Sequence, residues 1–358
     1  TWPSRAWVQA EPLGVALIIG PWNYPAQLLL VPLVSAIAAG NCAVLKPSEL
    51  APHTADVISA LICESFADDF VSVVKGDAAV SAALLRERFD KIFFTGSTRV
   101  GRIVAAAAAR NLTPVTLELG GKCPAVVCSD ADVEVAARRI AWGKFMNAGQ
   151  TCVAPDHVFV ARGSHDRFVA ALKRNVPASE GRIVNRAQFD RLTNYLREGT
   201  IAFGGGSDRA TLSIEPTILT ELGSDAAILE EEIFGPVLPV IEFDRVADVI
   251  RSLRQQPAPL ALYLFTRDRD IEAQVLAQTR SGGVCINDVV SQMLGPDLPF
   301  GGVGESGMGR YHGRAGFDAF SNPRTIMRRR NWPDLPFRYS AQTLSFRTFK
   351  RTLGFLLR

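Results

Sequence analysis

Short apolar runs alternate with longer helical patterns between residues 11 and 119. The run at 14–19 ends at the breakers Gly20 and Pro21, so it predicts a buried strand. Similar patterns predict strands at 42–45, 71–74, 91–94 and 115–117 and helices at 28–39, 55–66, 78–88 and in a segment ending at Arg110. Near-continuous apolar strands between helices are typical of a parallel sheet covered on both faces. We therefore expect a doubly wound α/β domain, with ligands beyond the carboxyl ends of its strands.

A second α/β stretch follows at 120–320. Its pattern predicts helices at 133–145, 164–174 and 246–253 and strands at 157–160, 237–243 and 260–265. The segment 299–309 holds so many glycines that we expect an irregular loop there. After about residue 336 the chain becomes rich in Arg, Phe and Leu. The pattern thus predicts two α/β domains and a distinct tail.

Composition and charge narrow the classes of partner. The 358 residues are 47% hydrophobic and 21% charged with a formal net charge of +3, so no footprint for nucleic acid is indicated. No apolar run approaches the roughly 20 residues that span a bilayer, and we expect a cytoplasmic protein with reduced cysteines. The six cysteines and four histidines lack the paired spacing of metal ligands, so no metal site is predicted.

Cys152 and Glu118 are the candidate catalytic side chains. Cys152 follows a helical pattern inside the segment NAGQTCVAP. A reactive thiolate needs a base or cofactor nearby, whereas a lone cysteine is more often a small core residue. Glu118 ends an apolar strand before Leu119-Gly120-Gly121. Burial there would raise its pKa toward neutrality, which suits a general base, although the glycine amides could equally satisfy the carboxylate.

Three strand ends carry candidate binding residues. Gly96 follows a predicted strand and Gly101 lies in the next helix, whose first amides could hold a phosphate, although the spacing is neither the Rossmann nor the P-loop pattern. Asn23, between two prolines, could donate to an oxyanion or simply form a turn. Lys46 and Glu49 follow another strand, where they could grip ribose hydroxyls.

Seven segments occur in a fixed order along the chain: IGPWNYP, AAGNCAVLKPSE, FTGSTRVG, VTLELGGK, NAGQTC, EEIFGPV and FGGVGESGMG. Taken singly, each is more often structural than functional, and the acidic EEIFGPV suits a solvated helix end. Together, across about residues 11–322, the set resembles the aldehyde dehydrogenase superfamily. LALYLFT, SGGVCIND and PFGGVGESGMGRYHG are most similar to its class 3 and fatty aldehyde branch.

The resemblance implies a reaction. Cys152 would attack the aldehyde carbon, giving a thiohemiacetal and then a thioester. The Asn23 amide and the Cys152 backbone N–H would form an oxyanion hole. Glu118 would activate the water that releases a carboxylic acid. The branch suggests a medium- or long-chain aliphatic or an aromatic aldehyde as substrate.

The resemblance also implies NAD or NADP as cofactor. Lys46 and Glu49 match a ribose-gripping pair, and Glu232 and Phe234 match the pair at the nicotinamide. The full set of residues expected around the cofactor is Trp22, Lys46, Glu49, Gly96, Ser97, Thr98, Gly101, Leu119, Glu232 and Phe234.

A domain layout follows from the same resemblance. Residues 11–119 would form the NAD(P)-binding domain and 120–320 the catalytic domain, while 1–10 and 321–335 would belong to a dimerisation arm, so we expect a homodimer. Relatives carry a helical region before the counterpart of Glu11, and we expect this chain to lack it. The tail at 336–358 has apolar residues at helical spacing with basic residues between them. This suits peripheral contact with an anionic membrane, or packing on the protein itself.

Two other functions are compatible with the sequence. A cofactor-independent cysteine esterase would use Cys152 alone, but it lacks a well-placed histidine partner. A catalytically inactive dimeric scaffold would keep the fold and show no turnover.

Overall fold

The computed structural model describes residues 4–178, 181–223, 225–332, 334 and 345–356. Residues 1–3, 333 and 335 of the predicted arm and 336–344, 357 and 358 of the predicted tail lie outside this part. Contacts divide the chain into a large unit of residues 12–321 and a small unit that joins the first eleven residues to those after 321. The small unit begins with strand β1 (Ser4–Pro12).

The first sheet of the large unit follows the apolar pattern. Its parallel strands are β2 (Val15–Ile19), β3 (Cys42–Lys46), β4 (Val71–Val73), β5 (Lys91–Thr95) and β6 (Val115–Glu118). The connecting helices are α1 (Gln27–Ala38), α2 (Pro52–Ser65), α3 (Ala78–Leu84) and α4 (Thr98–Ala109). The strand order is β6-β5-β2-β3-β4, with the first strand, β2, in the middle. Successive strands are added on one side of β2 as far as β4 and on its other side from β5 onward, so the strand order reverses between β2 and β5. The expected α/β fold is confirmed.

A second sheet lies in the same unit. The strands of the region are β7 (Pro124–Val127), β8 (His157–Ala161), β9 (Gly181–Arg182), β10 (Thr200–Phe203), β11 (Ser207–Asp208), β12 (Ser213–Ile214), β13 (Thr217–Thr220), β14 (Val237–Phe243), β15 (Ala261–Phe265) and β16 (Gly283–Ile286). Its helices are α5 (Val133–Phe145), α6 (His165–Asn175), α7 (Arg186–Tyr195), α8 (Val246–Gln255) and α9 (Arg269–Gln278). The order is β10-β13-β14-β8-β7-β15-β16, parallel except between β10 and β13, and β9, β11 and β12 form a small separate sheet.

Two predicted elements differ from the observed ones in kind or by more than three residues at one end. Helix α3 ends at Leu84 instead of residue 88, because the amides of Arg86 and Glu87 bond to carbonyls three residues back and tighten the turn. The glycine-rich segment 299–309 is not wholly irregular, since it contains β17 (Gly307–Met308), which pairs antiparallel with β6. A Cβ on Gly307 would lie 2.4 Å from the Leu117 carbonyl oxygen, so the close approach of β17 requires glycine.

One apolar cluster joins the two sheets. Ile18 and Phe93 contribute to it from the first sheet, and Val127 and Tyr263 from the second. Each fully buried side chain of this kind stabilises the fold by about 1.5–3 kcal/mol. The shared core holds the loops of both sheets in fixed positions.

The last elements are α10 (Gly313–Ala319), β18 (Ser321–Arg329) and α11 (Phe346–Leu356). In the small unit β18 pairs with β1, and the Glu11 carboxylate accepts hydrogen bonds from Asn322 and Arg324 at 2.6 and 3.1 Å. Within the described part of the chain, no helix is long and apolar enough to cross a bilayer.

Candidate active site

Cys152 lies in a sharp reversal of the chain after α5. In the short 3₁₀ turn Met146–Gly149, Asn147 and Ala148 adopt φ of 51° and 54°, and Gly149 adopts 72°. A Cβ on Gly149 would lie 2.2 Å from the Gly235 carbonyl oxygen, so only glycine allows this approach. The reversal leaves Cys152 half-buried, between α5 and β8.

The loop after β2 is tied directly to the cysteine loop. The Asn23 side-chain amide donates to the Gln150 carbonyl at 3.0 Å, and the Asn147 amide donates to the Asn23 carbonyl at 3.1 Å. The Tyr24 and Thr151 hydroxyls are 2.8 Å apart. Asn23 is therefore fixed beside the chain segment that carries Cys152.

Glu118 is a buried carboxyl group at the carboxyl end of β6. Neither of its side-chain oxygens accepts a hydrogen bond from a described residue. Burial raises the pKa of Glu118 well above its usual value, and the positive charge of Arg310 opposes this shift. A carboxyl group with a raised pKa binds a proton more strongly than an ordinary one, which suits a group that must take a proton from water.

The thiol of Cys152 is surrounded by acidic groups. Burial, then the charges of Glu232 and Glu118, raise the pKa of Cys152 to about 12. Both carboxylates therefore lie close enough to act on the sulfur. In this arrangement the thiol stays protonated at neutral pH, and a change in its surroundings must favour the thiolate.

Glu232 and Phe234 come from a loop that packs onto the end of β6. The Glu232 carboxylate lies over Gly120, where a Cβ would be 2.0 Å from its Oε2 atom. Burial, and after it the charge of Asp156, raise the pKa of Glu232 to about 8. The Phe234 and Trp22 rings meet edge to face, with centroids 5.5 Å apart.

The other predicted binding residues lie at the ends of β3, β5 and β6. Lys46 is buried, and its ammonium donates to the Pro47 carbonyl at 2.9 Å and to Glu49 at 3.3 Å. Ser97 caps α4 by accepting from the Val100 amide at 3.4 Å, and Gly96 precedes it. The Thr98 hydroxyl donates to the Glu305 carbonyl at 3.0 Å.

Gly101 makes room for Leu119. A Cβ on Gly101 would lie 2.7 Å from a methyl group of Leu119, so α4 packs closely against the chain that leaves β6. Register keeps these strand ends level, since Ile19 pairs with Lys46 and Thr95 pairs with Glu118. The predicted residues therefore gather at one edge of the first sheet, facing the cysteine loop, while their individual roles stay predictions.

Sequence reasoning missed three charged groups near this edge. Lys122 binds the Asp156 carboxylate and donates to the carbonyls of Ile228 and Glu231 at 2.8 and 2.9 Å. Lys144 is fully buried in α5, and burial lowers its pKa to about 8.

The third missed group is Arg310, beside Glu118. Lys144 falls at helical spacing with the buried Val133, Ala137 and Ile140, so the helical pattern already put it on the inner face. Arg310 follows a glycine-rich segment, where no helical or strand periodicity predicts the position of its side chain.

No cluster of described His, Cys, Asp or Glu side chains could hold a metal ion.

Comparison with known proteins identifies the family. The family model "Aldehyde dehydrogenase family" matches residues 1–326. The chain is 48% identical over 337 residues to aldehyde dehydrogenase family 3 member A2 of Rattus norvegicus, covering 91% of this chain and 70% of that protein. It is 46% identical to the dimeric NADP-preferring aldehyde dehydrogenase of Mus musculus, covering 90% of this chain and 73% of that protein.

Solved structures of aldehyde dehydrogenases are also similar to this chain. The substrate-bound state of Staphylococcus aureus AldH matches with a TM-score of 0.92 at 41% identity, covering 99% of this chain and 80% of that one. The NAD-dependent aldehyde dehydrogenase of Sinorhizobium meliloti matches with a TM-score of 0.85 at 32% identity, covering 93% and 70%. Fold, family model and relatives coincide, so the chain belongs to the aldehyde dehydrogenase family and is an enzyme that oxidises aldehydes with NAD or NADP.

Proposed function

We propose that the chain converts an aldehyde to the carboxylic acid through a thioester on Cys152. The observation that carries the proposal is the convergence of three groups on one loop. The half-buried Cys152 thiol, the Asn23 amide tied to Gln150, and the buried Glu118 carboxyl without a hydrogen-bond partner meet there. A nucleophile, an oxyanion donor and a base are the parts that acyl transfer needs.

The steps follow from these groups. The Cys152 thiol loses its proton to solvent as its sulfur adds to the aldehyde carbon, and the Asn23 amide and the Cys152 backbone N–H donate to the oxygen that becomes negative. When bound, the oxidised nicotinamide supplies the acceptor for the hydride that leaves this carbon. Glu118 then takes a proton from water, whose oxygen attacks the thioester. The C–S bond breaks, sulfur departs with the electron pair, and the acid is free.

The residues at the sheet edge fit a nicotinamide dinucleotide. The strand order reverses between β2 and β5, where doubly wound sheets bind nucleotides. Lys46 and Glu49 offer charge and acceptors for ribose hydroxyls, and the amides at the start of α4 offer a phosphate site. The loop with Glu232 and Phe234, beside Trp22, would hold the nicotinamide end.

An apolar aldehyde fits the surroundings of the site. A cleft of about 220 Å³ is lined mainly by apolar residues of α1 and α10, including Val31, Ala38 and Phe317, with His312 beside them. The centroids of the His312 and Tyr311 rings are 4.3 Å apart. The Tyr311 phenol is close enough to Glu118 and Cys152 for their charges to raise its pKa, after the larger effect of burial. Cys152 and Glu118 do not line this cleft, but His312 and Tyr311 lie between it and the reacting groups, and its apolar lining suits an aliphatic or aromatic chain.

The proposal includes two partners, a second copy of the chain and an anionic membrane. A homodimer is supported by the name of the mouse relative, which is called dimeric, and by the exposed Val8 and Met327 on β1 and β18. Peripheral contact of α11 with an anionic membrane is supported by its exposed Phe346 and Phe349 next to basic side chains. Packing of α11 on protein is the alternative outcome.

The test is nicotinamide reduction by the purified chain, with NAD and with NADP, on straight-chain aldehydes of increasing length and on benzaldehyde. Cys152→Ala is expected to lose activity by at least about 10³-fold, because no nucleophile remains. Glu118→Gln is expected to keep the first rapid turnover and lose steady-state rate by about 10²–10⁴-fold, because only thioester hydrolysis needs the base.

The two alternative functions, a cysteine esterase and an inactive scaffold, predict different results in this test. A cysteine esterase would hydrolyse p-nitrophenyl acetate as fast as any substrate and would reduce no nicotinamide. No described histidine hydrogen-bonds to Cys152, which disfavours that reaction. A folded wild-type chain that reduces neither cofactor with any aldehyde would instead support an inactive scaffold.

A further inference from the structure

Arg310 and Glu118 lie on the same side of Gly301. A Cβ built on Gly301 would be 2.8 Å from Glu118 Oε1 and 3.0 Å from Arg310 Nη1. The guanidinium and the carboxylate therefore approach one point in space. Arg310 Nη1 also donates to the Gly302 carbonyl at 3.0 Å, which fixes the cation in this position.

The backbone around Arg310 is held on both sides. Before it, β17 pairs with the end of β6, and Gly307 lies opposite Glu118. After it, Tyr311 and Phe300 exchange two backbone hydrogen bonds of 2.8 Å. These pairings leave the half-buried Arg310 little freedom to move away from Glu118.

Few other polar groups face Glu118. Strand β5 presents Thr95, a neutral hydroxyl that accepts no hydrogen bond from described residues, and β17 presents Gly307 and Met308. The cysteine loop presents the Cys152 thiol, and the chain after Arg310 presents the Tyr311 phenol. Among described residues, the positive charge that acts on Glu118 comes from Arg310.

We propose that Arg310 is a positioning residue that directs the Glu118 carboxyl group at Gly301 and whose charge increases the fraction of Glu118 that is ionised and can take a proton from the hydrolytic water. The inference rests on the proposed function and deepens it. Arg310 makes and breaks no bond in the step. It stabilises the form of Glu118 that accepts a proton, so thioester hydrolysis depends on it and thioester formation does not.

The experiment compares Arg310→Gln and Arg310→Lys with Arg314→Gln in the full chain. Arg314 is a matched control, because it is an exposed arginine four residues away that pairs with Asp318 on the surface. The first turnover and the steady-state rate of nicotinamide reduction are measured from pH 5.5 to 9.5, with an aldehyde that the wild type oxidises. Melting temperatures check that each variant folds.

Arg310→Gln is expected to keep the first turnover within about twofold and to lose about tenfold in steady-state rate at pH 7. The acidic limb of its rate profile should move to higher pH, because the carboxylate form of Glu118 loses its stabilising charge. Arg310→Lys should keep the limb near that of the wild type, and Arg314→Gln should match the wild type throughout.

A second readout separates this role from a structural one. Hydroxylamine attacks a thioester without a general base, so it should restore the steady-state rate of Arg310→Gln. The inference is overturned by an unchanged acidic limb, by equal losses in the first turnover and the steady state, or by failure of hydroxylamine to help. If Arg310→Gln does not fold, Arg310→Met, which also removes the charge, takes its place: an acidic limb moved to higher pH supports the inference, and a limb identical to that of Arg314→Gln overturns it. A wild type with no first turnover would reject the proposed function instead.

Discussion

At the scale of single residues, Glu232 adds a pH-dependent effect on the thiol. Burial is the main cause of the raised pKa of Cys152, and the charge of Glu232 raises it further. The pKa of Glu232 is itself raised to about 8. Below pH 8 the group is mostly neutral and acts weakly on the sulfur, whereas above pH 8 it is ionised and disfavours the thiolate. The effect of Glu232 on Cys152 must therefore grow as the pH rises.

Glu232→Gln should speed alkylation of Cys152 by iodoacetamide at pH 9 by roughly two- to tenfold, because removing a nearby negative charge favours the thiolate. At pH 6.5 the change should be small. Alkylation is followed by mass spectrometry of the peptide that contains Cys152. The control is Glu231→Gln, since Glu231 is exposed. Equal acceleration at both pH values would contradict the proposed electrostatic cause.

Single residues also show how far the sequence predicts the site. Cys152, Glu118 and Asn23 stand in segments whose order resembles a known family, and the structure brings all three to one edge. The burial of Lys144 is predictable from the sequence, because its helical spacing alone puts it on the inner face of α5. Arg310 could not be predicted, since its position near Glu118 depends on a pairing between β6 and β17 that no local pattern encodes.

At the scale of elements, the Lys122–Asp156 ion pair joins three chain segments. Lys122 follows β6, Asp156 precedes β8, and both bind the loop before β14. The Asp156 carboxylate accepts from the Ile233 amide at 2.8 Å. Burial alone would raise the pKa of Asp156, but Lys122 and His157 hold it well below its usual range. The pair therefore fixes the loop that carries Glu232 and Phe234.

Asp156→Asn should destabilise the fold by about 3–5 kcal/mol, because the Lys122 ammonium would stay buried without its counter-charge. Amides of residues 227–236 should exchange faster in hydrogen–deuterium exchange, and the KM for the cofactor should rise more than that for the aldehyde. Asp190→Asn is the control, since Asp190 pairs with Arg209 at the surface and should cost less than about 1 kcal/mol. Similar losses in both variants would show that the buried pair has no special role.

Helix α11 combines an apolar and a basic surface. Phe346, Phe349 and Leu353 are 80%, 51% and 44% exposed. Arg347, Lys350 and Arg351 lie between them, and residues 335–358 contain no Asp or Glu. Anionic headgroups would complement this charge while the rings enter the interface.

Co-sedimentation with vesicles tests this contact. The chain should bind vesicles of phosphatidylserine and phosphatidylcholine and should be released by high salt, which screens the charges. Leu353→Asp should reduce binding more than Thr348→Asp, which adds the same charge away from Phe346, Phe349 and Leu353. Binding that is equal for both variants, or that persists on pure phosphatidylcholine, would argue against an anionic membrane as the partner.

Elements were predicted best where one local signal decides them. The pattern predicts a strand at 237–243 and a helix at 133–145, and β14 and α5 occupy those bounds. It fails where tertiary pairing decides, as at β17, or where a helix ends without a glycine or proline signal, as at α3. The short strands β9, β11 and β12 give no periodic signal because each has two residues.

At the scale of the whole molecule, the sheet of β1 and β18 predicts association. Two strands alone are marginal in water, and Val8 and Met327 are 65% and 62% exposed. Analytical ultracentrifugation should therefore find a dimer. Val8→Lys with Met327→Lys should shift the equilibrium toward monomer, whereas Val57→Lys with Ile103→Lys, exposed apolar residues of α2 and α4, should leave the dimer intact. A wild type that sediments as a monomer at micromolar concentration would refute the prediction.

The edges of the sheets also bear on aggregation. Unpaired strand edges recruit other chains, and proteins protect them by keeping edge strands short or irregular. The outer strands of the two large sheets have only two to four residues, and β10 carries a register shift between Ile201 and Phe203. By contrast, β1 and β18 have nine residues each. The large sheets thus offer little template for fibril growth, and a chain kept from its proper partner would be most prone to misassemble through its longest two strands.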